Sequence, residues 1–124
     1  VKSGDLSFNL AGARSGLLVP EGKYDLVSGF VKKAGETAWI KRGRATPIVV
    51  EASTPTALAW GGPVVAEFDF THQGESVIVS PNVAFYGQAG EEYGPFAPEA
   101  KSPKILITDK KTGKLVDSGR FGGC

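Results

Sequence analysis

The sequence predicts an all-β fold, built as an antiparallel two-sheet β-sandwich. Apolar and polar residues alternate with a period of two over short segments, as expected for strands with one buried and one solvated face. Gly, Pro, Asn and Asp interrupt this alternation roughly every eight to twelve residues, a spacing typical of sandwiches and barrels. The chain holds 17 glycines and 8 prolines, which oppose helices, and no segment shows a helical apolar stripe.

The first half of the chain predicts four strands. Leu6, Phe8 and Leu10 alternate with polar residues and share one face of the first strand. Gly29 lies inside the second and indicates a β-bulge or a close approach of backbone. Pro47 confines the start of the fourth to a sheet edge or a strand entrance. The four predicted strands are residues 5–10, 23–33, 36–42 and 46–52.

The second half predicts further strands and one long loop. Residues 64–71 alternate cleanly, with Val64, Ala66, Phe68 and Phe70 on one face. The segment 87–103 is rich in Gly and Pro and has no period, which predicts a loop. The remaining predicted strands are residues 56–60, 76–80, 83–86 and a terminal hairpin of 104–109 and 114–117 around Lys110-Lys111-Thr112-Gly113.

The length and charge indicate one domain, residues 1–124, with no nucleic-acid partner and no membrane span. The 124 residues are 41% apolar and carry a net charge of +1, which is too little for long-range attraction to nucleic acid. The nearest approach to a nucleic-acid patch is Lys41-Arg42-Gly43-Arg44, beside Trp39. No apolar run reaches the roughly 18 residues that a membrane helix needs.

Two features suggest that the chain belongs to something longer. It starts at Val1 and contains no Met, so we expect a processed form or a fragment of a longer protein. The single cysteine, Cys124, is the last residue, so no internal disulfide is expected. The interpretations of Cys124 that stay open are an incidental tail, a bond to another chain, or a bond to another segment of the longer protein.

The sequence predicts no catalytic residue, no metal site and no cofactor. The one histidine, His72, lies at a predicted turn, and no Gly-x-Ser-x-Gly motif is present. An enzyme that uses His72 with Glu75 or Asp69 remains an alternative. Zinc needs more His and Cys ligands than the chain holds. Calcium is harder to exclude, with Glu91-Glu92 and Asp109 as the candidate oxygen ligands.

The predicted loop carries the best candidates for a binding site. Aromatic side chains are costly to expose in a loop, and loops on a rigid β-scaffold commonly carry binding sites. Rings and carboxylates together suit a sugar or a protein partner. The alternative is that Tyr93 and Phe96 fold back and plug the end of the sandwich; Trp39 and Trp60 are interpreted as core or rim. The candidate ligand-binding residues are Tyr86, Glu91, Glu92, Tyr93 and Phe96.

Two turn motifs carry a family resemblance. The run Leu18-Val19-Pro20-Glu21-Gly22-Lys23-Tyr24-Asp25-Leu26 resembles the Pro-x-Gly-x-Tyr-x-Leu turn of prealbumin-like and carboxypeptidase-regulatory-like sandwiches, including Cna-B-type modules. The hairpin at residues 107–116 is similar to hairpins of the same modules. The resemblance implies an immunoglobulin-like or prealbumin-like sandwich that acts as a structural or adhesive accessory module of a secreted, periplasmic or envelope protein.

The functional prediction is therefore a non-catalytic, extracytoplasmic β-sandwich module with a structural or interaction role. Its expected partners are other domains of the parent protein, or a protein or polysaccharide. The alternative is a carbohydrate-binding module that uses the aromatic segment 85–96.

Overall fold

The computed structural model describes residues 1–97 and 103–121, and in these ranges every regular element is a β-strand. The prediction of an all-β chain is confirmed. The strands are β1 (Lys2–Ser3), β2 (Leu6–Ser7), β3 (Gly22–Tyr24), β4 (Ser28–Lys33), β5 (Glu36–Lys41), β6 (Ile48–Val50), β7 (Val65–Glu67), β8 (Phe70–Gln73), β9 (Ser76–Val79), β10 (Ala84–Tyr86), β11 (Glu92–Ala97), β12 (Lys104–Thr108) and β13 (Leu115–Arg120).

A five-stranded antiparallel sheet is the centre of the molecule. Its strand order is β4-β5-β11-β10-β7. Tyr93 of β11 lies opposite Ile40 of β5 on one side and opposite Phe85 of β10 on the other. Because directly paired residues share a face, these three side chains point to the same side of the sheet, which we call the inner face.

The hydrophobic core lies against this inner face. Alternation along β5 buries Ala38 and Ile40 and leaves Trp39 between them on the opposite, outer face. Gly29 of β4 lies opposite Ile40, and a Cβ at Gly29 would meet Ile40 Cγ2 at an ordinary 3.4 Å, so neither the predicted bulge nor a close approach of backbone is found there. The core consists of Leu26, Ala38, Ile40 and Tyr93, with Trp60, Phe85 and Phe96 packed against it.

A smaller sheet of β3 and β6 holds the amino-terminal turn. Tyr24 is 1% exposed, contacts Phe8 edge-on, and donates its hydroxyl hydrogen to the Pro20 carbonyl at 2.8 Å. This contact ties the turn to β3, as tyrosine corners do in β-sandwich domains. Within the described ranges β6 pairs with β3 alone and begins at Ile48, directly after Pro47, so the predicted position of Pro47 at a sheet edge or strand entrance is confirmed.

Several predicted boundaries are wrong. Residues 5–10 contribute only the two-residue β2, residues 56–60 form no strand, and residues 23–33 divide into β3 and β4. Residues 64–71 also divide: β7 pairs with β10, and the chain then leaves the central sheet to pair as β8 with β9. Alternation cannot reveal this exchange because it encodes the face on which a side chain lies, not the neighbouring strand.

The predicted long loop at 87–103 is also wrong. Only residues 87–91 form a turn, after which β11 enters the central sheet between β5 and β10. The bulge between Tyr93 and Phe96 in the pairing with β5 accommodates Gly94 and Pro95. A bulge interrupts both the strand pairing and the alternation of side chains between the two faces. The sequence pattern that marks a strand is therefore absent here. Part of the predicted loop, residues 98–102, lies outside the described residues.

Two hairpins complete the described chain. The strands β8 and β9 pair only with each other, as do β12 and β13. The terminal hairpin was predicted from its alternation and turn, and its existence is confirmed. No helix in the described ranges is long and apolar enough to cross a membrane.

Candidate functional site

The turn between β10 and β11 builds the most tightly connected polar cluster of the molecule. The Gly87 and Gly90 amides donate to the carbonyls of Glu91 and Gly87, at 2.8 and 3.0 Å. The Gln88 amide donates to the Gly61 carbonyl at 2.9 Å. The turn is therefore closed on itself and joined to the loop before β7.

Glu91 is fully buried beneath this turn, with 0% of its surface exposed. Its carboxylate accepts hydrogen bonds from the Gly61 amide at 2.5 Å, the Ala89 amide at 3.0 Å and the Tyr93 hydroxyl at 2.9 Å. A buried carboxylate is tolerated when hydrogen bonds replace its lost hydration. Glu91 therefore joins two loops and β11 from the inside.

Gly87 is required by the same packing. A Cβ at this position would overlap the Glu91 carboxylate and lie 2.8 Å from the Tyr93 ring. The Glu91 carboxylate and the Tyr93 ring therefore occupy the space that a side chain at position 87 would need.

Burial holds Tyr93 in its protonated form. Loss of solvent, then the hydrogen bond to Glu91 and the charge of Glu91, raise the pKa of Tyr93 to about 12. At neutral pH the phenol is a hydrogen-bond donor to the carboxylate. The pair supports the turn, and its side chains face the core.

The outer face of the sheet carries the other predicted residues. Glu92 forms an ion pair with Lys41 at 3.0 Å on the neighbouring strand. The ring of Tyr86 is covered by the Arg44 guanidinium, 4.0 Å from the ring centroid. Arg44 also forms a two-pronged ion pair with Glu67, at 2.9 and 2.6 Å.

The backbone places Arg44 over this face. Its amide donates to the Gly90 carbonyl at 2.8 Å. The preceding Gly43 has φ +53°, and a Cβ there would lie 2.8 Å from that same carbonyl oxygen. The hydrogen bond with Glu67 raises the pKa of Arg44, so the side chain stays cationic.

The predicted ligand-binding residues therefore divide between two faces of the sheet. Glu91, Tyr93 and Phe96 lie on the core side, where Phe96 contacts Phe85 edge-on at 5.3 Å. Tyr86 and Glu92 lie on the outer side. The structure does not bring the five together around one space, and the surface members are Tyr86, Glu92 and the exposed part of Phe96.

Sequence reasoning missed an exposed aromatic pair on the outer face. Phe30 and Trp39 are opposite each other on β4 and β5, are 59% and 51% exposed, and meet edge-on at 6.1 Å. Lys32 Nζ lies 5.6 Å from the Phe30 centroid. The signal was present: Trp39 stands between the apolar residues Ala38 and Ile40, so alternation places its ring on the opposite face.

The cations of the predicted basic patch are already paired within the chain. Lys41 and Arg44 have the partners given above, and Arg42 lies 3.3 Å from Asp25. His72 of β8 contacts the ring of Phe70 edge-on at 5.8 Å. Among the residues that the structure describes, no three His, Cys, Asp or Glu side chains come together as metal ligands.

A groove separates the two isolated hairpins. Its volume is 330 Å³, and a contact between Phe68 and Phe121, with ring centroids 5.2 Å apart, joins the segments that flank it. Residues of β9 form one wall, and residues of β12 and β13 form the other. The lining residues are Val77, Val79, Ser80, Pro81, Ile105, Ile107, Asp117, Ser118, Gly119, Arg120 and Phe121.

The chain exposes far more surface than a compact monomer of its size. Its accessible area is 9759 Å², whereas about 6,300 Å² is typical for 13.0 kDa. Residues 98–102 and 122–124, even at the exposure of an unfolded chain, would account for about 1,100 Å² of the difference. An excess of about 2,300 Å² remains, and apolar side chains of the two hairpins contribute to it, with Phe70 57%, Ile78 53% and Leu106 55% exposed.

Comparison of the chain with protein-family models, with curated proteins and with solved structures found no match. Its function is therefore argued from the residues themselves.

Proposed function

We propose that this chain is a non-catalytic β-sandwich module of an extracytoplasmic protein, in which it serves as a structural or interaction domain. The observation that carries the proposal is the apolar surface of the two isolated hairpins. Clusters of exposed apolar side chains usually mark surfaces that a partner covers. A two-stranded hairpin alone is also marginally stable in water, so a covering partner would stabilise both hairpins.

The polar chemistry of the central sheet supports a structural role. Glu91, the buried acid, is committed to three internal hydrogen bonds. Lys41, Arg42 and Arg44 are neutralised by acids of the same chain. These groups stabilise the sheet and its turns, and their arrangement needs no substrate to explain it.

The extracytoplasmic setting rests on the resemblance described above. The turn at residues 18–26 and the hairpin at residues 107–116 are the motifs that suggest an accessory module of prealbumin-like or carboxypeptidase-regulatory-like type. The hydrogen bond from Tyr24 to the Pro20 carbonyl gives the tyrosine of the first motif a structural purpose compatible with that resemblance.

Hydrogen exchange tests the interaction role. We expect the amides of residues 70–79 and 104–120 to exchange quickly in the dilute 124-residue chain and to be protected in the intact gene product. The amides of β5 and β11 serve as the internal control, since the central sheet should protect them in both samples. Equal exchange of the hairpins in every setting would mean that this surface is not covered, and the proposal would fail.

The exposed aromatic pair favours one alternative, carbohydrate binding. Phe30 and Trp39 present ring surface to solvent, and the ion pair of Lys41 with Glu92 supplies polar groups on the same face. Aromatic faces with nearby hydrogen-bonding groups suit sugar rings. Tyr86 and Glu92 of the predicted set would belong to this surface.

Tryptophan fluorescence tests the alternative. Titration with a panel of soluble polysaccharides should change the emission of the chain, and Trp39→Ala should abolish the response. Leu106→Ala, which removes an exposed side chain on a hairpin outside the central sheet, is the matched control. A flat response across the panel would leave the alternative without support.

A further inference from the structure

We infer that the partner that covers the two hairpins is a second copy of this chain, which packs groove to groove around a twofold axis. This inference rests on the proposed interaction role and specifies its partner. The observations that carry it are the opposite net charges of the two hairpins that flank the groove and the area that the chain leaves exposed.

The two hairpins that flank the groove, which we call its acidic and basic walls, carry opposite net charge over their whole segments. The segment 68–81, which contains β8 and β9, has the acids Asp69 and Glu75 and no lysine or arginine, for a net charge of −2. The segment 103–121, which contains β12 and β13, has five bases and two acids, for a net charge of +3. The bases are Lys104, Lys110, Lys111, Lys114 and Arg120, and the acids are Asp109 and Asp117.

This separation of charge is a property of a large part of the chain. No lysine or arginine occurs between Ala45 and Ala100, whereas six of the fourteen bases follow Ala100. Asp109 is also occupied locally. Its carboxylate accepts hydrogen bonds from the amides of Lys111 and Thr112 and from the Thr112 hydroxyl. The lysines that follow it therefore dominate the tip of the second hairpin.

Apolar side chains on both walls remain open to solvent. On the acidic wall, Phe70 pairs with Val79 and His72 pairs with Val77, so these four share the face that lines the groove. On the basic wall, Ile105 and Ile107 line it. Phe70, Val77 and Ile107 are still 57%, 45% and 37% exposed, so the groove presents an apolar centre between charged hairpins.

Symmetry makes this surface complementary to itself. A twofold axis along the groove turns the surface over and exchanges its two walls, so the acidic hairpin of each copy faces the basic hairpin of the other. An axis across the groove would instead oppose acid with acid and base with base. In the first arrangement, each hairpin of both copies faces a hairpin of opposite charge, so electrostatic complementarity favours it.

The exposed area is sufficient for such a contact. Stable interfaces bury about 800 Å² on each partner. The excess of about 2,300 Å², summed over the whole chain, is larger than one such contribution.

Sedimentation of the chain over a range of concentrations tests the inference. The wild-type chain should form dimers, and Val77→Asp should raise the dimer dissociation constant more than about tenfold, because it buries a charge in the apolar centre. The control is Val27→Asp, at an exposed valine outside the groove. A chain that stays monomeric at the highest soluble concentration overturns the inference, as does a dimer that both variants weaken equally.

Charge reversal tests the arrangement itself. The variant Asp69→Lys/Glu75→Lys changes the first wall from −2 to +2, and the variant Lys110→Glu/Lys111→Glu/Lys114→Glu changes the second from +3 to −3. Each variant alone should be monomeric, because its copies oppose like charges. Their mixture should form one-to-one dimers, since each reversed wall then faces an unlike wall. A circular dichroism spectrum like that of the wild type confirms folding of each variant.

The outcomes of these experiments distinguish dimerisation with a second copy from the broader interaction role. Dimers from either variant alone, or no dimers from the mixture, would overturn the twofold arrangement. If the hairpins are protected in the intact gene product while the 124-residue chain remains monomeric, the interaction role stands and the second copy is overturned.

Discussion

Strands of the central sheet and of the isolated hairpins show the same alternation of apolar and polar residues. Their apolar side chains are buried in the central sheet and exposed in the hairpins. In the central sheet, β11 is paired on both sides and its Tyr93 is 8% exposed. In the hairpins, each strand has one neighbour, and Val116 of β13 is 67% exposed. Alternation makes a strand possible, but burial of its apolar face requires a second layer that another part of the chain, or a partner, must supply.

The two regions should also contribute differently to the free energy of unfolding. The turn of residues 87–91 concentrates internal hydrogen bonds on one carboxylate, whereas the hairpins contain little that is buried. We therefore expect substitutions to have large effects in the first region and small effects in the second.

The largest effect is expected at Glu91. Glu91→Ala removes the acceptor for three internal donors, one buried and two partly buried, and should lower the free energy of unfolding by about 3–5 kcal/mol. Urea denaturation measures the loss. Glu92→Ala, which removes a partly exposed ion pair on the other face, is the matched control and should cost less than about 1 kcal/mol. Equal losses would show that Glu91 is not the centre of this region.

Alkaline pH should weaken the same region through Tyr93. Its pKa is raised from 10.0 to about 12, so the folded chain holds the phenolic proton more tightly than the unfolded chain does. The resulting stabilisation is complete below pH 10 and is lost as pH rises towards 12, by about 2–3 kcal/mol. The difference in unfolding free energy between wild type and Tyr93→Phe, measured from pH 9 to 12, isolates this contribution, and a constant difference would contradict it.

A substitution at Gly87 should have the next largest effect. Gly87→Ala forces a methyl group against the Glu91 carboxylate and the Tyr93 ring, which should destabilise the chain by about 1–3 kcal/mol. Thermal unfolding measures the change. Gly119→Ala is the control, because its added methyl would meet Ile105 at an ordinary 3.4 Å, and the argument fails if the two variants melt alike.

The smallest effect is expected in the hairpins of the dilute, monomeric chain. Val116→Ser alters an exposed side chain and should change the unfolding free energy by less than about 0.5 kcal/mol. Ile40→Ala, at a buried position of β5, should cost about 2–5 kcal/mol in the same urea titration. A large loss at Val116 would show that the hairpin is packed against other residues in the monomer.

Much of the secondary structure could be predicted from local sequence. The alternation of β5, the turn before Tyr24 and the terminal hairpin depend on residues close together in the chain, so turn chemistry and period identify them. The candidate site was harder to predict. The sequence singled out residues 85–96 as a candidate binding loop, but Glu91 accepts a hydrogen bond from Gly61, 30 residues away, and no local pattern records such a contact.

The sequence by itself determined that the chain forms strands, where many of them turn, and on which face of a strand each side chain lies. Only the tertiary structure decided which strands are neighbours, that β11 enters the central sheet, and that the Glu91 carboxylate is buried beneath the turn. The physical reason is that period and turn propensity act over a few residues, whereas burial depends on which distant segment supplies the opposite layer. For β8, β9, β12 and β13, the described part of the chain supplies no such layer.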